Sequence, residues 1–85
     1  MRISTLSILA VVGVVTSVQP AFADACYDLW YERNSIYNEN GYCFNTRDGQ
    51  DTFDNSDCYT DNPNFTRREQ RRIQQIKRQE NDYGC

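Results

Sequence analysis

Carboxylates are the only side chains in this sequence that are numerous enough to suggest acid–base chemistry. The chain has 12 Asp and Glu residues and no histidine. A pair of carboxylates can act as general acid and general base, whereas the lack of histidine excludes Ser-His-Asp and Cys-His nucleophilic sites. Five acidic residues lie close together in one polar segment: Asp48, Asp51, Asp54, Asp57 and Asp61. We interpret this segment as a solvated loop and predict no catalytic residue and no enzymatic activity.

The acidic segment and the four cysteines are the two candidate metal sites. Oxygen ligands from the acidic segment would suit Ca²⁺, but their spacing differs from the alternating D-x-D-x-D-G pattern of an EF-hand. Four thiolates could bind zinc, yet zinc sites usually contain closely spaced C-x-x-C pairs, and this sequence has none. We therefore expect no metal and no cofactor.

Residues 1–23 have the features of a secretory signal peptide. A basic start is followed by an apolar stretch over 6–15, by Pro20, which we expect to interrupt a helix, and by the cleavage pattern Ala21-Phe22-Ala23. The apolar stretch is shorter than the ~20 residues that span a bilayer, so no membrane span is expected after cleavage. An even number of cysteines in the remaining domain, 24–85, predicts disulfides and a secreted or periplasmic location.

The first predicted helix extends from Asp24 to about Asn40. Aspartate is a favoured N-cap residue, and Gly41 follows where a left-handed residue commonly ends a helix. Side chains recur at steps of three and four positions and form one stripe. That stripe contains Cys26, Leu29, Trp30, Arg33, Ile36 and Tyr37. Because the stripe is narrow, the helix needs a partner to cover it.

The second predicted helix begins after Thr66, which forms a capping-box pattern with Glu69. Gly84 lies near its far end, and Ile73 and Ile76 share its apolar face. The segment between the helices is rich in turn-forming residues, which predicts a long loop with a short hairpin at Asp48-Gly49.

Helix length selects among the three pairings that four cysteines allow. Cys26 and Cys43 bracket the first helix and lie roughly 20 Å apart at 1.5 Å per residue, whereas a disulfide needs Cα atoms within about 7 Å. Packing the helices antiparallel brings Cys26 to Cys85, and the ends of the loop bring Cys43 to Cys58. The predicted fold is therefore small and mainly α, a disulfide-stapled antiparallel two-helix hairpin with a long connecting loop.

Arg33 is unusual because it lies on the stripe that the first helix should bury. Burying a guanidinium without a partner costs too much free energy to be tolerated. Glu69 and Glu80 lie on the matching face of the second helix, so we predict a bidentate ion pair between Arg33 and one of them. The alternative is that Arg33 anchors an anionic ligand.

The second helix also has a basic side, since residues 63–85 contain six basic and three acidic residues. Arg67, Arg71 and Arg78 point away from its apolar face and form a candidate binding face for phospholipid headgroups or a teichoic-type polymer. The same pattern would be seen if these arginines were simply solvated, or if they paired with carboxylates of the acidic loop in the same molecule. The net charge of −3 opposes nucleic acid as a partner.

Aromatic residues are frequent, at 13% of the chain. Rings of this kind could stack on sugars, but in so small a domain we expect them to form the core.

The segment from position 29 to position 44 resembles the YARHG domain family, which occurs in exported and cell-surface bacterial proteins. It contains the pattern L-W-x-x-R-N-x-I and then G-Y-C-F. The residues that carry the resemblance are Leu29, Trp30, Arg33, Asn34, Ile36, Tyr37, Gly41, Tyr42, Cys43 and Phe44. At the five positions of the family's eponymous motif, Tyr37 and Gly41 match, whereas Asn38, Glu39 and Asn40 differ. The resemblance covers essentially all of 24–85 and implies an accessory or binding role rather than catalysis.

We therefore expect a noncatalytic exported binding or structural module of the bacterial cell envelope, with an envelope component or a protein as its partner. The alternative is a small secreted inhibitor or effector that binds a protein partner through its acidic loop. A carboxylate-based hydrolase ranks third.

Overall fold

The computed structural model describes residues 18–85, which form a small, mainly helical fold. The described residues form three helices: α1 (Val18–Glu39), α2 (Arg47–Thr52) and α3 (Arg67–Tyr83). Helices α1 and α3 are in contact. No strand forms in this part of the chain, where Tyr42 and Thr60 make an isolated parallel bridge. Most of the predicted signal peptide, 1–23, lies outside the described residues.

Helix α1 begins earlier than the sequence predicts. Asp24 lies inside the helix, so the prediction that it is the N-cap is wrong. Pro20, which we expected to interrupt the helix, lies in its first turn. Proline is tolerated there because the amides of the first turn have no intrahelical acceptor.

The predicted end of α1 is confirmed. Gly41 has a left-handed φ of 81°, and its N–H donates to the carbonyl of Asn38 at 3.1 Å. The Tyr42 N–H donates to the carbonyl of Tyr37 at 3.2 Å. These two bonds satisfy carbonyls that the end of a helix would otherwise leave unpaired.

Both boundaries of α3 follow from its sequence. The Glu69 N–H donates to Thr66 Oγ1 at 3.1 Å, and the Thr66 N–H donates to Glu69 Oε1 at 2.9 Å, which completes the capping box. Gly84 ends the helix with a φ of 74°. Ile73 and Ile76 are buried, so the apolar face of α3 packs inward as predicted.

The predicted hairpin at Asp48-Gly49 is wrong, because these residues lie in the short helix α2. Thr46 caps α2 by accepting a hydrogen bond from the Gly49 N–H at 3.2 Å. The negative charge of Asp48 in the first turn interacts favourably with the positive end of the helix dipole. Gly49 is buried, and an added Cβ would lie 2.7 Å from Cδ1 of Phe44. The glycine therefore permits close packing rather than a left-handed turn.

The buried core is small and consists of Phe44, Phe53, Ile73 and Ile76. The rings of Phe44 and Phe53 stack with centroids 4.9 Å apart. Phe44 is also held by its backbone, since the Asn55 side chain accepts from its N–H at 3.0 Å and donates to its carbonyl at 2.8 Å. The loop thus supplies half of the core.

The expectation that the aromatic residues form the core is only partly correct. Four tyrosines remain exposed, and Tyr27 and Tyr31 have 57% and 46% of their surface accessible. The exposed tyrosines are Tyr27, Tyr31, Tyr59 and Tyr83.

Candidate functional site

Two disulfides hold the helices and the loop. Cys26 is bonded to Cys85 with Cα atoms 5.6 Å apart, and Cys43 is bonded to Cys58 with Cα atoms 5.1 Å apart. This is the pairing predicted above from helix length and antiparallel packing of the helices. Among the described residues no cysteine is free.

Arg33 forms a bidentate ion pair with Glu80, one of the two partners proposed from the sequence. Arg33 Nε and Nη2 donate to the two carboxylate oxygens of Glu80 at 2.9 and 3.0 Å. The side chains are mostly buried, with 25% and 17% of their surfaces exposed. The pair connects the middle of α1 to the end of α3. The Arg33 guanidinium therefore has its partner within the molecule.

Glu69, the other proposed partner of Arg33, lies at the opposite end of the helix pair. Its Oε2 accepts a hydrogen bond from Asn40 Nδ2 at 3.0 Å, while its other oxygen caps α3. The hydrogen bond from Asn40, together with that from the Thr66 backbone, lowers the pKa of the Glu69 carboxyl. The Glu69 side chain therefore caps the start of α3 and also contacts the residue that follows α1.

A second cross-helix ion pair joins Glu32 and Arg72, and sequence reasoning missed it. Arg72 Nε and Nη2 each donate to a Glu32 oxygen at 2.6 Å. The hydrogen bonds from Arg72, together with its positive charge, lower the pKa of the Glu32 carboxyl. The same hydrogen bonds, together with the negative charge of Glu32, raise the pKa of the Arg72 guanidinium. Arg72 lies on the flank of α3, and only the rotation of α3 against α1 brings it to Glu32.

These lowered carboxyl pKa values predict that acid destabilises the fold. A carboxyl whose pKa is lower in the folded state adds stability above its unfolded value, 4.5 for Glu32, and this stability is lost as the pH falls through the folded pKa. We expect the melting temperature to fall between about pH 6 and pH 3, and Glu32→Gln to reduce that fall. Thermal unfolding followed by circular dichroism at each pH checks this, with Asp28→Asn as control. An equally steep fall in Glu32→Gln would contradict the assignment.

A cleft of about 620 Å³ lies between α1, α2 and the C-terminal end of α3. We call it the α1–α2 cleft. Its lining residues are Cys26, Tyr27, Trp30, Arg33, Asp48, Asp51, Thr52, Glu80 and Cys85. The cleft thus combines aromatic rings, two exposed carboxylates and the ion pair of Arg33.

The aromatic side of the α1–α2 cleft continues onto the surface of α1. The ring of Tyr27 lies 5.8 Å from that of Trp30 and 6.2 Å from that of Tyr31. Trp30 and Tyr31 in turn contact the buried Phe53, with centroids 6.1 and 5.4 Å away. Exposed rings are therefore held in place by a core residue, which restricts their motion.

The acidic segment is divided by the fold. Asp48 and Asp51 line the α1–α2 cleft, whereas Asp54 accepts hydrogen bonds from the Ser56 N–H and hydroxyl at 2.9 and 3.0 Å. These bonds from Ser56 lower the pKa of the Asp54 carboxyl. In residues 18–85 no three His, Cys, Asp or Glu side chains are grouped as a metal site would require.

The two serines of the predicted domain are engaged in local hydrogen bonds. Ser35 Oγ donates to the carbonyl of Tyr31 at 2.7 Å, and Ser56 Oγ donates to Asp54. Neither hydroxyl has a basic side chain as acceptor that would make it a nucleophile.

The residues of the L-W-x-x-R-N-x-I pattern mainly build the scaffold. Leu29 and Ile36 are half-buried, and the Asn34 amide donates to the Trp30 carbonyl at 2.9 Å. Tyr37 packs edge-on against Phe65, with centroids 4.9 Å apart. Only Trp30 and Arg33 of this pattern reach the cleft.

The G-Y-C-F part of the motif lies at the turn after α1. An added Cβ at Gly41 would overlap the ring of Tyr59, so both the left-handed φ and the close approach require glycine there. The Tyr42 ring packs edge-on against Phe44 with centroids 4.9 Å apart. The Cys43 N–H donates to the Thr60 carbonyl at 2.8 Å. This part of the motif fastens the loop to α1.

Arg67, Arg71 and Arg78, the candidate binding face, line one shallow groove of about 330 Å³ on α3. All three are exposed. The groove is separate from the α1–α2 cleft, with no lining residue in common.

No helix within the described part of the chain is both long and apolar enough to cross a membrane. The sequence matches the family model of the YARHG domain over residues 15–81. No curated protein and no solved structure matches the chain. The family match covers α1, α2 and most of α3, and it includes every residue of the motif.

Proposed function

This chain belongs to the YARHG domain family, and from that premise we propose that it is an exported, noncatalytic binding module of the bacterial cell envelope. The ligand occupies the α1–α2 cleft. The observation that carries the proposal is the exposure of aromatic rings at and beside that cleft: Tyr27 in its lining and Tyr31 next to it on α1 each keep about half of their surface exposed. In a domain with so small a core, burying these rings would add stability, so leaving them in solvent is best explained by a ligand.

Export is supported by the chemistry of the cysteines. Two disulfides persist only where thiols are not kept reduced, which fits a secreted or periplasmic protein. In this proposal residues 1–23 are a signal peptide that is removed, which leaves the domain 24–85.

The two long helices form an antiparallel hairpin in this proposal. The cross-helix partners support it, because later residues of α1 meet earlier residues of α3. Moving along α1, Cys26 pairs with Cys85, Arg33 with Glu80, and Asn40 with Glu69. Such a hairpin, crosslinked near its end, provides a rigid base for the rings beside the cleft.

A glycan strand such as that of peptidoglycan is the ligand that fits the cleft best. Aromatic rings offer flat apolar faces, and the carboxylates of Asp48 and Asp51 with the hydroxyl of Thr52 can accept hydrogen bonds from sugar hydroxyls. An apolar wall with a few convergent polar groups is the usual composition of a small-molecule site. In this proposal the module binds the glycan without cleaving it.

We expect Tyr27→Ala to weaken binding of soluble peptidoglycan fragments about tenfold, since it removes one stacking surface. Trp30 is the single tryptophan of the chain and lines the cleft, so its fluorescence reports occupancy directly. The titration uses oxidised protein recovered from the periplasmic fraction. Tyr59→Ala is the matched control, because Tyr59 is 77% exposed but does not line the cleft.

Equal affinities of Tyr27→Ala and the unaltered protein would exclude the α1–α2 cleft as the site. Release of soluble sugar from intact peptidoglycan by the pure protein would contradict the noncatalytic assignment.

The alternative function is a secreted inhibitor or effector that binds a protein partner through acidic residues. The exposure of Asp48 and Asp51 at the cleft favours it, because these carboxylates are free to meet a basic side chain. Capture of a soluble partner from envelope extract, lost in Asp48→Asn/Asp51→Asn and retained in Asp57→Asn/Asp61→Asn, would favour this alternative. The two double variants change the net charge equally.

A further inference from the structure

Three arginines form a straight line along the outer side of α3. At 3.6 residues per turn, Arg67, Arg71 and Arg78 lie within an arc of about 40°. That arc is opposite the buried Ile73 and Ile76. At 1.5 Å per residue the line is about 16 Å long. We call these three residues the arginine stripe.

The arginine stripe is not used to hold the molecule together. The ion pairs among the described residues join Arg33 to Glu80 and Arg72 to Glu32, and none includes the stripe. The acidic segment therefore does not satisfy these arginines within the molecule. The nearest carboxylate along the helix face is Asp82, one turn beyond Arg78, and it borders the C-terminal end of the stripe.

The placement of these cations is unfavourable for α3 itself. Arg67 lies in the first turn, where the helix dipole repels positive charge. Arg67 and Arg71 are four positions apart, a spacing at which like charges destabilise a helix. The last turn, where basic residues would stabilise the helix, contains none. An anionic partner against the stripe would remove this repulsion.

We infer that the arginine stripe docks α3 on the anionic phospholipid surface of a bacterial membrane. The other side chains of its groove are glutamines, Gln70, Gln74 and Gln75, so nothing apolar is available to enter the acyl region, and the contact is with headgroups alone. A flat surface touches a helix along one line, and the stripe is such a line. A flexible polyanion could instead wrap around α3 and reach Arg68 and Lys77, which lie on either flank of the stripe.

The test compares two double variants that remove the same charge. Arg71→Gln/Arg78→Gln alters the stripe, and Arg68→Gln/Lys77→Gln alters the flanks. Each oxidised protein, recovered from the periplasmic fraction with its N-terminus defined by intact mass, is sedimented with vesicles of phosphatidylcholine containing about a third phosphatidylglycerol. We expect the stripe variant to partition about thirtyfold less than the unaltered protein, the flank variant to change by less than about threefold, and binding to weaken with added salt.

Three results would overturn the inference. The first is equal binding of the unaltered protein to vesicles with and without phosphatidylglycerol. The second is an equal loss in the flank and stripe variants, which would mean that the contact is not confined to the stripe. The third is binding to soluble polyphosphate with no binding to the anionic vesicles. The outcome does not depend on the ligand of the α1–α2 cleft, because the two surfaces share no residue.

Discussion

Replacing Cys26 and Cys85 together with alanine is expected to lower the free energy of unfolding by about 4 kcal/mol, because the disulfide closes a loop of 59 residues. A stability of about 0.1 kcal/mol per residue is typical. The total stability of a domain of this length is therefore not much larger than the loss expected for this variant. The four-residue core cannot replace the crosslink. We therefore expect the variant to unfold at a much lower urea concentration than the unaltered protein.

Urea unfolding followed by circular dichroism measures this effect in oxidised protein. Cys43→Ala/Cys58→Ala is the comparison, since its loop of 15 residues corresponds to about 3 kcal/mol. If the Cys26/Cys85 variant unfolded at the same urea concentration as the unaltered protein, the helices would be held by their packing instead.

Replacing Arg33 with methionine is expected to cost about 3 kcal/mol, the lower end of the range for a broken buried ion pair, because both partners are partly exposed. Methionine keeps the volume of the stem but leaves the Glu80 carboxylate in a mostly buried position without its two hydrogen bonds. The melting temperature and the urea midpoint at neutral pH both measure the loss.

The double variant Arg33→Met/Glu80→Met separates the charge from the packing. Replacing both partners removes the unpaired carboxylate, so most of the lost stability should return. An unchanged midpoint in Arg33→Met would mean that the ion pair is not formed in solution. A double variant as unstable as the single one would mean that the unpaired Glu80 carboxylate is not the source of the loss.

Local sequence signals were sufficient to predict the parts of the fold whose causes are local. The capping box of Thr66 and the glycines at 41 and 84 set helix ends through hydrogen bonds to near neighbours. The disulfide pairing also followed, because helix length excludes a bond between Cys26 and Cys43, and antiparallel packing of the helices selects between the two pairings that remain. The fold's small, mainly helical character comes from these few constraints.

Features that depend on packing were not predictable in the same way. Asp48-Gly49 is a strong turn signal, but at Gly49 the glycine is required by the ring of Phe44, which approaches through the fold. The predicted start of α1 is wrong because aspartate is a favoured N-cap residue, whereas Asp24 lies inside a helix that begins earlier. The pair of Glu32 and Arg72 depends on how α3 is rotated against α1.

In the candidate site, too, some features have local causes in the sequence and others depend on packing. Arg33 was identifiable because a charge on an apolar stripe demands a partner, and the choice between Glu69 and Glu80 needed the register of the helices. The α1–α2 cleft was not foreseen, because α2 was not predicted and it supplies Asp48 and Asp51. The exposed rings of Tyr27 and Tyr31 have the same sequence signature as core residues, so only their surroundings distinguish them.

The expected dependence on the Cys26–Cys85 bond also has a consequence for the export that we propose. In a reducing compartment that bond does not form, so the newly made polypeptide lacks the constraint that keeps its helices together. An unfolded polypeptide is what a narrow translocation channel can thread. In the proposed export, oxidation outside the cytoplasm would form the Cys26–Cys85 bond and stabilise the folded domain.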